Sequence, residues 1–119
     1  MSCIKFESLG SSVGNLDIPL LKISNFDSKN SRAEEKSIIL IIGRQHPGET
    51  YSSFIIHGFV NHMLQKIPLC NQLRENYEIW VVPMLNPDGV VVGNYRSNLQ
   101  GRDLNRHFFA GEDLEGARN

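Results

Sequence analysis

The stretch GRQHPGET, Gly43 to Thr50, sets a histidine and a glutamate three residues apart, His46 and Glu49. A neutral imidazole offers a nitrogen ligand and a carboxylate an anionic oxygen, and zinc accepts both at roughly 2.0 to 2.2 Å. Three residues of separation bring the two onto one ion only if the chain turns sharply between them. Gly48 permits an unusual backbone there, and Pro47 suits the start of a helix. A second account is open at this point: an HxxE pair arises by chance, and Glu49 also favours a helix N-terminus electrostatically.

A second cluster lies downstream, where Arg96, Arg102 and Arg106 punctuate a segment that also holds Asp103 and Asn105. Guanidinium groups bind carboxylates in a bidentate manner and stabilise a developing oxyanion. Arginines beside a metal therefore suit hydrolysis of a substrate that carries a carboxylate. Arginines on a solvated loop are the alternative. Asp103 is a candidate acceptor for the ring N–H that a metal-bound His46 leaves over, which would fix the tautomer; a helix cap or turn aspartate reads equally well. His57 and His62 do not form HExxH with Glu49, so both read as packing or surface residues. His107 lies beside the arginines, and nothing in its spacing makes it a ligand.

These residues need elements that bring them together. The run SIILIIG, Ser37 to Gly43, is continuous, apolar and rich in β-branched residues, the pattern of a strand covered on both faces in a mostly parallel sheet. From Thr50 to Gln65 the apolar residues Ile55, Ile56, Phe59, Val60, Met63 and Leu64 recur every four residues, which predicts an amphipathic helix. Tyr77 to Leu85 reads as a second buried strand running into NPDG, a strong turn signal. Strand, helix and strand make a βαβ unit, so the expected fold class is α/β: a partial mixed, mostly parallel sheet with a crossover helix. In such sheets ligands gather at the carboxyl ends of strands, and both RQHPGET and NPDGVVVGNYR leave such ends. Upstream, Ile4 to Leu9 and Ile18 to Ile23 predict a hairpin around GSSVGNLD, and SNFDSKNSRAEEK reads as a solvated loop. The segment after NPDG reads as long and irregular, a length of loop that is usually functional or disordered.

Composition narrows the classes. The 119 residues fit one domain, and a net charge of -1 with 21% charged residues gives no basic excess to attract nucleic acid. Two cysteines, Cys3 and Cys70, make neither a disulfide framework nor a CxxC site, so they read as free core thiols in a reducing compartment. The stretch MSCIKFESLG has no long apolar run behind a basic patch, and no uncharged run approaches the ~20 residues that cross a bilayer. The expectation is a cytoplasmic protein without membrane or nucleic-acid partners.

Taken together, GRQHPGET and PMLNPDGVVVGNYRSNLQGRDLNRHF resemble the signature segments of the zinc metallocarboxypeptidases, and within them the cytosolic carboxypeptidase branch. SLGSSVGNLDIPLLKIS is similar to the strands that open that branch's catalytic domain. The resemblance implies a Zn2+ cofactor held by His46 and Glu49, with Asp103 behind the histidine. It implies that Arg96 polarises the scissile carbonyl and that Asn105 and Arg106 hold the substrate's terminal carboxylate. His107 matches a position that does not ligate. The implied reaction is removal of C-terminal residues by zinc-promoted attack of water, and the implied partners are acidic C-terminal tails such as the glutamate-rich ends of tubulin. In the family the third zinc ligand and the general-base glutamate come later than the point where this sequence stops at ARN; Glu112 and Glu115 match neither. The resemblance thus leads us to expect residues 1–119 to be the N-terminal portion of a catalytic domain, inactive alone, poorly soluble because a partial sheet leaves a strand edge unpaired, and without the branch's preceding β-sandwich domain. Two other readings stay beside it: a non-catalytic module that binds acidic tails through Arg96 and Arg106, and a related zinc amidohydrolase acting on acylated amino acids.

Overall fold

The computed structural model describes residues 3–26 and 36–107. Most of the loop expected at 24–36, the end of the irregular segment at 108–119, and with it Glu112 and Glu115, lie outside them. The chain opens with β1 (Ile4–Ser11) and β2 (Asp17–Ile23), paired antiparallel. The loop between them closes through Ser12 and Leu16, with Asn15 at φ 61°, a left-handed conformation that asparagine tolerates. Next come β3 (Ser37–Ile42), α1 (Tyr51–Met63), α2 (Pro68–Asn76), β4 (Tyr77–Val82), α3 (Pro87–Val92) and a single 3-10 turn, Leu104–Arg106.

The four strands form one sheet in the order β1-β2-β4-β3. β3 and β4 run parallel, from Ser37 opposite Tyr77 to Ile42 opposite Val82, and α1 and α2 make the crossover between them. β2 pairs antiparallel with the other edge of β4. The expected α/β mixed sheet with its crossover helix is therefore present; one of its three pairings is parallel, because the hairpin docks on β4 through β2.

Ile79 and Val81 alternate onto one face of β4, where Ile23, Ile56, Met63 and Cys70 enclose them. Each fully buried aliphatic side chain of this kind contributes about 1.5–3 kcal/mol. Phe59, Val60, Leu64 and Leu73 from the two helices pack around that cluster. Cys70 is buried and its thiol donates to the His62 carbonyl, as a free core thiol; Cys3 is half-buried and also free.

Three features depart from the sequence reading. α2 was not expected: Pro68 opens it at the first helical turn, and buried Arg74 near its end donates to the Met63 and Gln65 carbonyls, capping the C-terminus of α1. NPDG is the start of α3 rather than a plain turn, with Asn86 as N-cap accepting from the Gly89 N–H at 3.0 Å. β3 is not covered on both faces: Ile38 is 52% and Leu40 55% exposed, since β3 is the edge of the described sheet and the helices cover one side of it.

Candidate active site

The parallel pairing of β3 with β4 continues past both strands. The Gly43 N–H donates to the Val82 carbonyl at 2.8 Å, the Leu85 N–H to Gly43 at 2.9 Å, and the Asn86 N–H to Arg44 at 3.1 Å. The segment that carries His46 and Glu49 and the segment that opens with NPDG thus leave the sheet side by side, at its carboxyl end. Close approach then replaces secondary structure. The Gly48 N–H donates to the Tyr95 carbonyl at 2.8 Å, and a Cβ on Gly48 would lie 2.5 Å from the Tyr95 ring. A Cβ on Gly89 would lie 2.3 Å from the Pro47 ring and 2.7 Å from the Ser97 carbonyl. These two glycines let residues 95–97 lie against the turn at 46–49.

His46 is buried, with a carboxylate on each ring nitrogen. Nδ1 lies 3.0 Å from Glu49 Oε1 and Nε2 lies 2.9 Å from Asp103 Oδ1. Asp103 also accepts from Arg96 Nε at 2.6 Å on its other oxygen and from the Asn105 N–H at 2.9 Å. All six sequence candidates are linked by direct contacts: Glu49, His46, Asp103 and Arg96 through their side chains, Asn105 and Arg106 through backbone groups of their turn. Arg106 stands in the same 3-10 turn with an exposed side chain, its guanidinium 3.4 Å from the Asn105 carbonyl. The His46 hydrogen bond above all, then those of Arg96 and the Asn105 N–H, hold the Asp103 carboxyl well below the usual carboxylate range, against the opposing effect of desolvation.

The donor set fits a zinc ion between His46 and Glu49. A neutral imidazole has one N–H, and a carboxylate only accepts. With that N–H on Nε2 and directed at Asp103, the Nδ1 lone pair faces a carboxylate lone pair, a repulsive pairing unless a proton or a cation lies between them. A nitrogen and an oxygen so placed are ordinary zinc ligands, and a carboxylate behind the histidine is the usual arrangement that fixes its tautomer. Among the described residues no group of three histidine, cysteine or acidic side chains converges on one point, so this pair stands as two ligands.

Other side chains hold the arrangement. Arg44 adopts a left-handed backbone at φ 48° and reaches across the turn to the Pro47 carbonyl and to Ser53 on α1. Asp88 accepts from the Ser12 hydroxyl and the Gly14 N–H, which ties the hairpin tip to α3. Sequence reasoning passed over both; the buried aspartate was signalled only by its place in NPDG, and the arginine by nothing. His107 donates from Nδ1 to the Asp103 carbonyl and does not approach the pair, and His57 and His62 are exposed on α1. Arg102 is held through its backbone N–H to Asn98 rather than joining the cluster.

Comparison with known proteins gives the family and the fold. The zinc carboxypeptidase family, peptidase M14, matches residues 2–119. Human cytosolic carboxypeptidase 6 is 46% identical over 102 residues, which are 86% of this chain and 20% of that protein. Mouse cytosolic carboxypeptidase 2 is 43% identical over 104 residues, 87% of this chain and 12% of its own length. A metallo-carboxypeptidase from Burkholderia cenocepacia superposes with a TM-score of 0.81 at 30% identity, covering 92% of this chain and 29% of its own. The chain thus spans a fifth or less of these curated relatives. With a match across nearly all of its residues, and the relatives' fold beneath it, the chain belongs to the zinc carboxypeptidase family.

Proposed function

We propose that this chain supplies part of the active site of a zinc carboxypeptidase that trims acidic C-terminal tails in the cytoplasm. The observation that carries the proposal is the continuous contact from Glu49 through His46 and Asp103 to Arg96. His46 and Glu49 are the residues that would hold zinc, and the ion, when bound, acidifies water and polarises a carbonyl. Asp103 keeps the His46 proton on Nε2, so Nδ1 presents a lone pair. The same carboxylate orients Arg96, whose remaining N–H groups are directed at the oxyanion that forms on the scissile carbonyl. Asn105 and Arg106, exposed beside it, recognise the terminal carboxylate, and only a chain end offers one there. Catalytic zinc sites take three protein ligands and an open position; the third ligand and the general base come from outside the described residues. Residues 1–119 are in this reading the N-terminal portion of a catalytic domain and inactive alone. The acidic-tail preference follows from resemblance to the cytosolic branch, with tubulin-like tails as the substrate class.

The test measures zinc uptake by the chain and, in a form extended past Asn119, release of glutamate from glutamate-tailed peptides. Zinc uptake lost in His46→Ala and Glu49→Ala, with glutamate release abolished in Arg96→Ala, is the expected result. Peptide binding that is lost in Arg106→Ala yet indifferent to chelator would replace it with a non-catalytic tail-binding module. Hydrolysis of acylated amino acids in preference to peptides would replace it with an amidohydrolase.

A further inference from the structure

Arg44 lies two residues past the end of β3, and its backbone takes φ 48°, a region that L side chains rarely adopt. Such a conformation persists only where surrounding contacts over-determine it, and here they come from three directions. The Arg44 N–H donates to the Ser52 hydroxyl at 3.1 Å, and that hydroxyl donates onward to the Glu49 carbonyl at 2.7 Å. The Arg44 carbonyl accepts from the Asn86 N–H at 3.1 Å. The side chain folds back over the turn: Nε donates to the Pro47 carbonyl at 2.9 Å and Nη1 to Ser53 Oγ at 3.2 Å.

The peptide that begins at the Pro47 carbonyl lies between the two residues that face each other across the metal position. Its two ends are held from different sides: the Gly48 N–H donates to the Tyr95 carbonyl at 2.8 Å, and the Pro47 carbonyl accepts from Arg44. We infer that Arg44 is the positioning residue of the metal-binding turn, its guanidinium clamping the Pro47 carbonyl to α1 so that His46 and Glu49 keep their facing geometry. A lysine cannot replace it, since one ammonium lacks the planar fork that reaches a carbonyl and a hydroxyl in fixed directions. Glycine accepts the backbone conformation but offers no clamp. The inference rests on the metal reading of His46 and Glu49, and its test separates the two.

The full chain is compared with Arg44→Gly and Arg44→Lys by thermal melting, by long-range 1H–15N correlations of the His46 ring without metal, and by zinc competition against a chromophoric chelator. Arg44→Gly should melt near the wild-type temperature, broaden or double the His46 ring signals, and weaken zinc binding by about tenfold. Arg44→Lys should behave like Arg44→Gly in the last two measurements. Unchanged ring signals and unchanged zinc affinity in Arg44→Gly overturn the proposal, and so does a lowered melting temperature with both unchanged. If Arg44→Gly does not fold, Ser53→Ala, which removes only the Nη1 acceptor, should broaden the same signals, and an unaffected ring overturns the proposal. A wild-type chain that takes up no zinc defeats the metal reading instead, and the ring signals then decide on Arg44 alone.

Discussion

The Asp103 carboxylate accepts from three groups: the buried His46 ring, the Arg96 guanidinium, and the backbone of the turn that carries Asn105 and Arg106. Its replacement by alanine should therefore weaken zinc binding by about 10–100-fold, measured by chelator competition. The Asp103→Asn variant keeps an acceptor for His46 but loses the charge that holds Arg96, so zinc binding should fall less than in the alanine variant. Because the folded-state pKa of Asp103 is depressed, its stabilising contribution is present above the ordinary carboxylate range and is lost as pH falls through and below about 4. The difference in melting temperature between wild type and Asp103→Ala should accordingly narrow as pH falls from 7 to 3; a constant difference would contradict this. The meeting of His46 with Glu49 and Asp103 was legible only through motif order and resemblance, since spacing alone left a chance HxxE pair and a turn aspartate open. Arg44 was not, since its part depends on a backbone angle and on where Pro47 and Ser53 end up, neither of which residue type reports.

The elements were legible where burial is periodic and illegible where contacts are individual. α1 was expected at Thr50–Gln65 and spans Tyr51–Met63, because its apolar repeat is long enough to state a helix unaided. α2 has few apolar residues and owes its place to Cys70, Leu73 and the capping reach of Arg74 into α1. α3 has six residues, and its start, Asn-Pro-Asp-Gly, serves a helix N-terminus as well as a turn. Two glycine substitutions test how the elements hold the site. A Cβ on Gly48 would meet Tyr95 at 2.5 Å on the ring and 2.9 Å on the backbone carbonyl, so Gly48→Ala must displace main chain and should cost about 1–3 kcal/mol in urea unfolding. Gly58 lies inside α1 with nothing within 4 Å of a new Cβ, and Gly58→Ala should stabilise by about 0.5–1 kcal/mol. Equal effects in the two variants would mean that the Tyr95 contact does not constrain the turn. Arg74→Met removes the donors to the α1 carbonyls and should cost about 1.5–3 kcal/mol in the same measurement.

At the scale of the molecule, the sheet face away from the helices is open over β3 among the described residues, while Val82 on β4 is buried. Register places Ile38, Leu40 and Ile42 on the same side as Glu78, Trp80 and Val82, opposite the face that Ile79 and Val81 turn toward the helices. The three β3 residues are 39% to 55% exposed, and the strand that carries them has no lysine, glutamate or proline to deter pairing. On that side Lys22 stands 4.4 Å from the centre of the Trp80 ring and 2.7 Å from Glu7, so polar cover exists over β2 but not over β3. α1 also turns Phe54 and Ile55 outward, 77% and 66% exposed. The sequence made SIILII look buried on both faces because its composition suits a strand inside a larger sheet, and the curated relatives, of which this chain spans a fifth or less, have the length to build one. The chain by itself should therefore associate through β3. Leu40→Lys puts a charge on the open face without touching the packed residue beside it, Ile41, and should shift sedimentation toward the monomer while leaving the melting temperature unchanged. A Leu40→Lys chain that sediments like wild type would place the association elsewhere, with the outward face of α1 then tested by Phe54→Lys.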